Sequence, residues 1–360
     1  MAENALDFVK NLGLGWNLGN TFDTFPLEGE RDAALAEGRA WTPEDQQSLW
    51  FNVPFTKEQA ANVAKAGFGT IRIPVTWMDW MDPETNEVDP VWMDAVQQAV
   101  DWSLDAGLNV ILNVHHDGSR GESPWIRRGM QADPDATLAR FRTLWAQIAE
   151  RFRDYDERLV FEGANELAFE DAEAAGTQYD LLLALAQAFV DTVRASGGNN
   201  ATRYLLIPGY DTDTDKTCDP RYRLPEDPAD DKLIVSIHYY SPAGFALGEH
   251  DSDWCEPVDE WGTEAEEDAL AADFAKHRER FTKNGIPVIL GEYSLLTEDI
   301  DHKDHESNMA WLEAVLAAST ANGECPVLWD TSTKEMRFLD RRTGEFFDPQ
   351  VDQIFHRYMA

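Results

Sequence analysis

Two short apolar runs in this chain each lead into a glutamate. Leu159-Val160-Phe161 precedes Ala164-Asn165-Glu166, and Val288-Ile289-Leu290 precedes Gly291-Glu292-Tyr293, the second glutamate 126 positions after the first. The C-terminal tip of a buried strand is where an α/β barrel keeps its chemistry. Two carboxyls presented from two strand ends are the minimal equipment for hydrolysing a glycosidic bond.

Other chemistry-bearing residues fall at the same level. Asn17, Asn20, Arg72, His115, His116, Asn165, His238, Tyr240 and Trp329 all sit at the ends of apolar runs. A barrel interior has little reason to gather an arginine, paired histidines, two glutamates and a tyrosine except to make a site. Taken singly, each has an ordinary reading. Arg72 could snorkel to the surface and His115 could be a satisfied core histidine. Glu162, a third strand glutamate, is assigned to packing or hydrogen bonding.

The elements that must position these residues are short runs alternating with amphipathic stretches, the pattern of a parallel sheet. Strands are expected at 12–16, 70–75, 109–115, 159–163, 203–208, 233–238, 287–292 and 326–329. Helices are expected at 56–66, 90–106, 135–152, 176–195, 263–283, 305–321 and 349–358, with none in 209–232. Thr56 and Asp89 are good N-caps, Pro90 suits a first helical position, and Gly67 and Gly107 are good stops. Eight strands with mostly intervening helices give a single (β/α)8 TIM barrel. No linker divides residues 1–360, so one catalytic domain is expected. Long loops at 24–55 and 239–262 fall on the same face as the glutamates and carry Trp41, Trp50, Trp254 and Trp261.

Bulk properties narrow the function. The formal net charge is −37, from 67 acidic and 30 basic residues, and only nine of the basic residues are lysines. Such a field repels nucleic acid and anionic membrane. The acidic residues are dispersed rather than gathered in a tail, which suits a surface adapted to high salt, where screening removes self-repulsion. No run approaches the length of a membrane span. The three cysteines, Cys218, Cys255 and Cys325, have no CxxC spacing, so a zinc site is not expected; one Cys218–Cys255 bridge is an open possibility.

The motifs taken together resemble glycoside hydrolase family 5, the cellulase family. The matching segments are 13–23, 67–77, 113–117, 161–166, 236–242, 289–293 and 328–330, in order and at seven of the eight strands. Segments 13–23, 113–118 and 338–344 most resemble the branch with endoglucanases, xyloglucanases and mixed-linkage glucanases. The resemblance implies a cofactor-free retaining endo-β-1,4-glucanase, with a β-mannanase, xylanase or xyloglucanase as the alternative on the same catalytic pair. It implies Glu166 as acid/base, Glu292 as nucleophile and Asn165 as partner of the sugar 2-hydroxyl. Arg72 and Tyr240 would hold the nucleophile. His115, His116 and His238 would line the cleaved sugar's subsite with Asn20, over a Trp329 floor. A polymeric β-glycan substrate implies a secreted enzyme; separately, a monomer is expected. Leu167 departs from the family's proline after the Asn-Glu pair, Ser294 from a common glycine, and Leu328-Trp329-Asp330-Thr331 from a more aromatic, Asn-containing run; all three bear on loop shape and substrate choice.

From these neighbours Glu292, beside Arg72 and a tyrosine hydroxyl, is expected to stay ionised, and Glu166, facing its charge, to hold a proton. Trp41, Trp50, Trp77, Trp125 and Trp261 are candidates to touch sugar. Two other readings are weaker. A metal-dependent hydrolase could use His115, His116, Asp117 and His238, but adjacent residues on a strand point to opposite faces. A non-catalytic glycan-binding barrel would have lost a glutamate. Asp211 to Asp215 resembles the start of a calcium loop, but Lys216 and Tyr222 occupy positions that need glycine and glutamate, leaving a solvated acidic loop.

Overall fold

Eight parallel strands close on themselves in sequence order: β1 Gly15–Leu18, β2 Thr70–Ile73, β3 Asn109–Asn113, β4 Leu159–Glu162, β5 Leu205–Pro208, β6 Leu233–Tyr239, β7 Val288–Tyr293 and β8 Cys325–Asp330. This computed structural model describes residues 4–26, 30–118, 125–169, 175–249, 255–297, 303–333 and 335–359. Trp254 lies outside them. The expected barrel is present, with strand boundaries shifted by up to three residues, most at the first strand.

The helices are α1 Ala5–Asn11, α2 Glu30–Ala36, α3 Pro43–Gln47, α4 Lys57–Lys65, α5 Pro90–Asp105, α6 Trp125–Ala132 and α7 Pro134–Arg151. They continue with α8 Ala175–Ala195, α9 Thr214–Cys218, α10 Ala243–Ala246, α11 Glu264–Arg280, α12 His305–Ala321 and α13 Pro349–Tyr358. Capping follows the sequence. Thr56 accepts from the Gln59 N–H and Asp89 from the Val91 N–H ahead of Pro90; Thr263 and Glu266 form a reciprocal box. Segment 209–232 does contain a helix. Asp213 caps α9, while Asp211 and Asp215 pair with Lys216 and Lys276, so these carboxylates are engaged by helix start and lysines. At five residues, α9 is too short to show a sequence period. A hairpin of β9 Leu339–Asp340 and β10 Glu345–Phe346 follows the barrel.

Inside the barrel, one two-residue step up a strand changes apolar to polar. Ile111, Val160, Ile234, Ile289 and Val327 form the lower layer with Leu206. Two positions on stand Asn113, Glu162, Ser236, Gly291 and Trp329, which therefore share the inward face. The lower layer is closed by α1, whose Phe8 ring stacks on Tyr204 at 3.7 Å between centroids. The larger core lies between strands and helices, where Trp77, Trp92, Trp145 and Trp311 are buried.

All three cysteines are free thiols. Cys218 ends α9 beside α11, whereas Cys255 is buried near Gly248 in the β6 to α11 connection, so the Cys218–Cys255 bridge does not form.

Phe8→Ala should uncap the lower layer at a cost of about 3 kcal/mol. Urea unfolding reads this as a lower midpoint; an unchanged midpoint would show that α1 does not seal the barrel.

Candidate active site

The upper layer is built around the guanidinium of Arg72, which is fully buried. Its Nε donates to Glu162 Oε2 at 2.7 Å and its Nη1 to Glu292 Oε1 at 2.7 Å. Nη1 also donates to Asn17 Oδ1 at 2.9 Å, and Nη2 to Asn165 Oδ1 at 2.8 Å. The snorkelling reading of Arg72 is excluded. Because the Asn165 oxygen faces the guanidinium, its N–H₂ end is left for a ligand.

Strand register explains how Glu292 is aimed. β6 and β7 slip between Ile237 and His238, so His238 pairs with Glu292, and β7 slips against β8 between Leu290 and Tyr293. Irregularities of this kind redirect side chains beside active sites. Gly291 allows it, because a Cβ there would meet Ser236 Oγ at 2.9 Å and His238 Nε2 at 3.0 Å. Tyr240 Oη donates to Glu292 Oε2 at 2.9 Å. Burial keeps that phenol well above its usual pKa, so it remains a donor.

Glu166 stands in the left-handed region at φ 40°, a conformation that costs about 1–3 kcal/mol in a non-glycine residue and collects at functional sites. Its side chain is 32% exposed, against 6% for Glu292. His238 Nδ1 lies 2.9 Å from Glu166 Oε1 and 3.7 Å from Glu292 Oε2. Carboxylate oxygens of Glu166 and Glu292 and a ring nitrogen of His238 all lie within 4.8 Å of one another.

Relative to their usual values, the two carboxyls are displaced in the directions opposite to those expected from sequence. Burial pushes Glu166 up, but the His238 hydrogen bond and the charges of His238 and Arg72 outweigh it and bring the carboxyl below its usual range. Burial also raises Glu292; His238 and Arg72 only partly offset this, Glu166 adds to it, and the carboxyl stays above its usual range. The physical reason is partnership. Arg72 is shared with Glu162 instead of serving Glu292 alone, and His238 is hydrogen-bonded to Glu166 while standing farther from Glu292. Burial lowers His238, but Glu292 and Glu166 overcome it and raise the imidazole.

The other expected residues are assembled at the mouth. Trp329 stacks parallel to His115 at 5.7 Å, and a Cβ on Gly19 would lie 3.2 Å from its ring, so glycine lets the indole settle against the chain. His115 and His116 do not point apart. β3 ends at Asn113, strand alternation stops there, and the two rings meet edge to face at 4.6 Å. Phe25 and Trp50 continue this aromatic wall, 5.4 and 5.8 Å from the His116 ring. Burial lowers His115 far below an ordinary histidine and His116 to about 4, so both are neutral. Asn20 occupies the turn after β1 at φ 52°, its backbone N–H donating to Asp23.

Among the tryptophans, Trp77 and Trp261 are buried in the core, while Trp41, Trp50 and Trp125 are half-buried. Trp125 donates to Asp117 Oδ1 at 2.7 Å with the Arg140 guanidinium 4.2 Å from its ring centre. Asp23, His115 and His116 also offer three clustered ligand atoms. His115 does not suit a metal there. Asn113 Oδ1 accepts from the Val75 N–H, so its Nδ2 faces His115 Nδ1 at 3.1 Å and leaves the proton on Nε2.

Several contributors lay outside the sequence reading. Glu162 accepts from Asn113 and Ser236 at 3.0 Å each as well as from Arg72, so its assigned hydrogen bonding is present, together with an ion pair. Asn113 and Ser236 sit two residues after the inward-facing Ile111 and Ile234, so strand parity could have found them. Asp330 accepts from Trp16 Nε1 and the backbone of Ser332, Phe338 and Leu339, shaping the loop after β8. Of the departures, Ser294 donates to the Trp329 carbonyl at 2.8 Å and ties β7 to the floor. Leu167 is buried against Gly118, where a Cβ would come within 2.7 Å of it.

A closed barrel with two carboxyls this close at its mouth defines a glycosidase scaffold. Residues 33–335 match Cellulase (glycosyl hydrolase family 5). This chain belongs to glycoside hydrolase family 5. It is 35% identical over 364 residues to Endoglucanase 1 of Ruminococcus albus, covering 99% of this chain and 81% of that protein. Its fold is similar to a GH5-4 broad specificity endoglucanase from an uncultured bovine rumen ciliate, with TM-score 0.89 and 40% identity over 99% of this chain and 98% of that one. A family 5 xyloglucanase from Paenibacillus pabuli is similar at TM-score 0.83 and 28% identity, over 98% of this chain and all (100%) of that one.

One buried acid gives a measurable pH signature. Burial raises Asp23 to about 7, with Glu292 adding to the rise against hydrogen bonds from Thr21 and Asn20. Since the folded value exceeds the unfolded one, the neutral carboxyl's stabilisation is complete below about pH 4 and is lost as pH rises through about 7. Asp23→Asn, which cannot ionise, should therefore lose less stability between pH 4 and 8 than wild type, by of order 3 kcal/mol. Equal losses in urea unfolding would refute the assignment.

Proposed function

We propose that this family 5 glycoside hydrolase is a retaining endo-β-1,4-glucanase, with Glu292 as nucleophile and Glu166 as acid/base. The observation that carries this is the approach of the two carboxylates within 4.8 Å. Retention needs carboxyls about 5–5.5 Å apart, whereas inversion leaves about 6.5–9.5 Å for a water.

Glu292 attacks the anomeric carbon as the glycosidic C–O bond breaks and Glu166 protonates the leaving oxygen. The His238–Glu166 hydrogen bond supplies that proton. When sugar displaces water, an imidazolium–carboxylate pair loses solvation that the neutral pair does not need, so the proton moves onto Glu166. Formation of the glycosyl-enzyme removes the charge of Glu292, which frees Glu166 to take a proton from water. That water attacks, the bond to Glu292 breaks, and the sugar leaves with its original configuration. Asn165 presents N–H to the 2-hydroxyl, and Trp329 an apolar face to the sugar's C–H groups. Arg72 and Tyr240 hold Glu292, while Asn20, His115, His116 and His238 line the subsite.

The relatives named as endoglucanases support the β-glucan backbone. The xyloglucanase likeness supports a groove that accepts decorated glucans, the second reading. We extend the proposal to a single catalytic domain, acting without cofactor as a secreted, salt-tolerant monomer. The dispersed charge of −37 supports the salt tolerance and disfavours nucleic acid as partner. Among the described residues no helix is long and apolar enough to cross a membrane.

Reducing-end release on carboxymethylcellulose, barley β-glucan, xyloglucan, xylan and mannan, in dilute buffer and molar NaCl, tests the reading. Glucan cleavage that persists in salt, with the first product in the β configuration by NMR, is expected. Cleavage of xylan or mannan alone would overturn the substrate, and an α product the mechanism. Glu292→Gln should abolish turnover, and Glu166→Gln should lower it about 10²–10⁴-fold.

A further inference from the structure

Glu162 is fully buried, four residues before Glu166 in sequence, and its carboxylate is bonded to Arg72 on the edge opposite Glu292. We propose that Glu162 is a positioning residue for the reaction: it fixes the direction of the Arg72 guanidinium and divides its charge, so that Glu292 keeps its strength as a nucleophile. This rests on the reading of Glu292 as nucleophile.

A guanidinium is planar and rigid, so anchoring its Nε edge fixes where both terminal nitrogens point. Here those nitrogens reach Glu292 and Asn165, the residues assigned to the anomeric carbon and the 2-hydroxyl. Glu162 is also held by Ser236 from β6 and by Asn113 from β3, and Asn113 in turn engages His115. One carboxylate therefore ties β2, β3, β4 and β6 together beneath the subsite. It bonds neither Glu166 nor Glu292, so its influence passes through Arg72.

The charge matters apart from the geometry. A cation between two carboxylates serves each less than it would serve one alone. Glu292 faces Arg72 from β2, Glu166 from the end of β4, His238 and Tyr240 from β6, and Asp23 from the loop after β1. Among the groups bonded to Arg72, Glu162 is the one carboxylate beneath the groove instead of within it. Removing its charge leaves Glu292 with the full pull of Arg72, a weaker base and a slower nucleophile.

Glu162→Gln makes this test cleanly. The amide oxygen can accept from Arg72 and Asn113 while its N–H₂ donates to Ser236 Oγ, so the hydrogen bonds remain and only the charge goes. The measurements are kcat/KM against pH on soluble β-glucan, where the acid limb reports Glu292 with its coupled groups, and glycosylation of an aryl cellobioside whose good leaving group needs no acid. Glu162→Gln should move the acid limb to lower pH by about 0.5–1 and slow glycosylation about 2- to 5-fold at the plateau, with KM unchanged. A lost residue of merely structural importance would lower Tm and leave the limb in place; that result overturns the proposal. Glu162→Asp keeps the charge but shortens the arm, so it should lower kcat while the limb stays; wild-type kcat there would overturn the positioning role even if the glutamine variant fails to fold. Glu292→Gln, run in parallel, separates the two ideas. If it remains active, the nucleophile assignment has failed; if it is dead and Glu162→Gln keeps the wild-type limb, only the role of Glu162 has failed.

Discussion

A full positive charge sits in the middle of this barrel with no access to water, and the upper half of the structure is arranged to tolerate it. Leaving one member of such a buried pair without its partner costs about 3–5 kcal/mol. Arg72 is tolerated because Glu162, Glu292, Asn17 and Asn165 accept its N–H groups, and those residues come from β1, β7 and the end of β4. The requirement therefore fixes how the strands stand relative to one another at the mouth. It also sets the change from apolar to polar between the layers. Below, Ile111, Val160, Ile234, Ile289 and Val327 seal with α1; above, the same strand faces must supply hydrogen bonds.

The arrangement makes the two carboxyls proposed as catalytic unlike each other by giving them different partners. Glu292 is deep and its cation is shared; Glu166 is partly open and takes the hydrogen bond of His238. On the roles proposed for them, the free enzyme keeps its mobile proton beside Glu166, on the leaving-group side, and keeps Glu292 a strong base. Glu166 is also held at a strained backbone angle. Such strain persists only where the surroundings over-determine it. The bond from the Asn165 N–H to the Val114 carbonyl and the buried Leu167 on the other side are the constraints that do so.

What could be read from the sequence was whatever follows a period. Eight apolar runs gave the strands, and residues at their ends gave the mouth: Arg72, Asn165, Glu166, His238, Tyr240, Glu292 and Trp329 all meet there. The misses occur where a period stops. His115 and His116 lie past the last residue of β3, so alternation no longer separates them. Helices α1, α6 and α9 are too short, or too dependent on tertiary packing, to announce themselves. The directions in which the two carboxyls are displaced were hidden for another reason. Which carboxylate Arg72 favours depends on a third acid, Glu162, whose direction becomes visible only once β2, β4 and β7 are closed into a ring.

The surface and the site respond differently to salt. Most of the net charge of −37 is spread over exposed positions, where interactions beyond about 3 Å are screened at molar ionic strength. The Arg72 network lies at direct hydrogen-bond distances inside the protein, where ions do not penetrate, so the same salt leaves it intact. Raising the ionic strength relieves repulsion across the outside of the barrel without loosening the pairing that aims Glu292. In dilute buffer the repulsion returns, and it acts first on helices and loops at the periphery. Resistance there depends on the parts of the fold that owe nothing to surface charge: the apolar lower layer, the tryptophan-rich outer core and the buried guanidinium that binds four strands at the mouth.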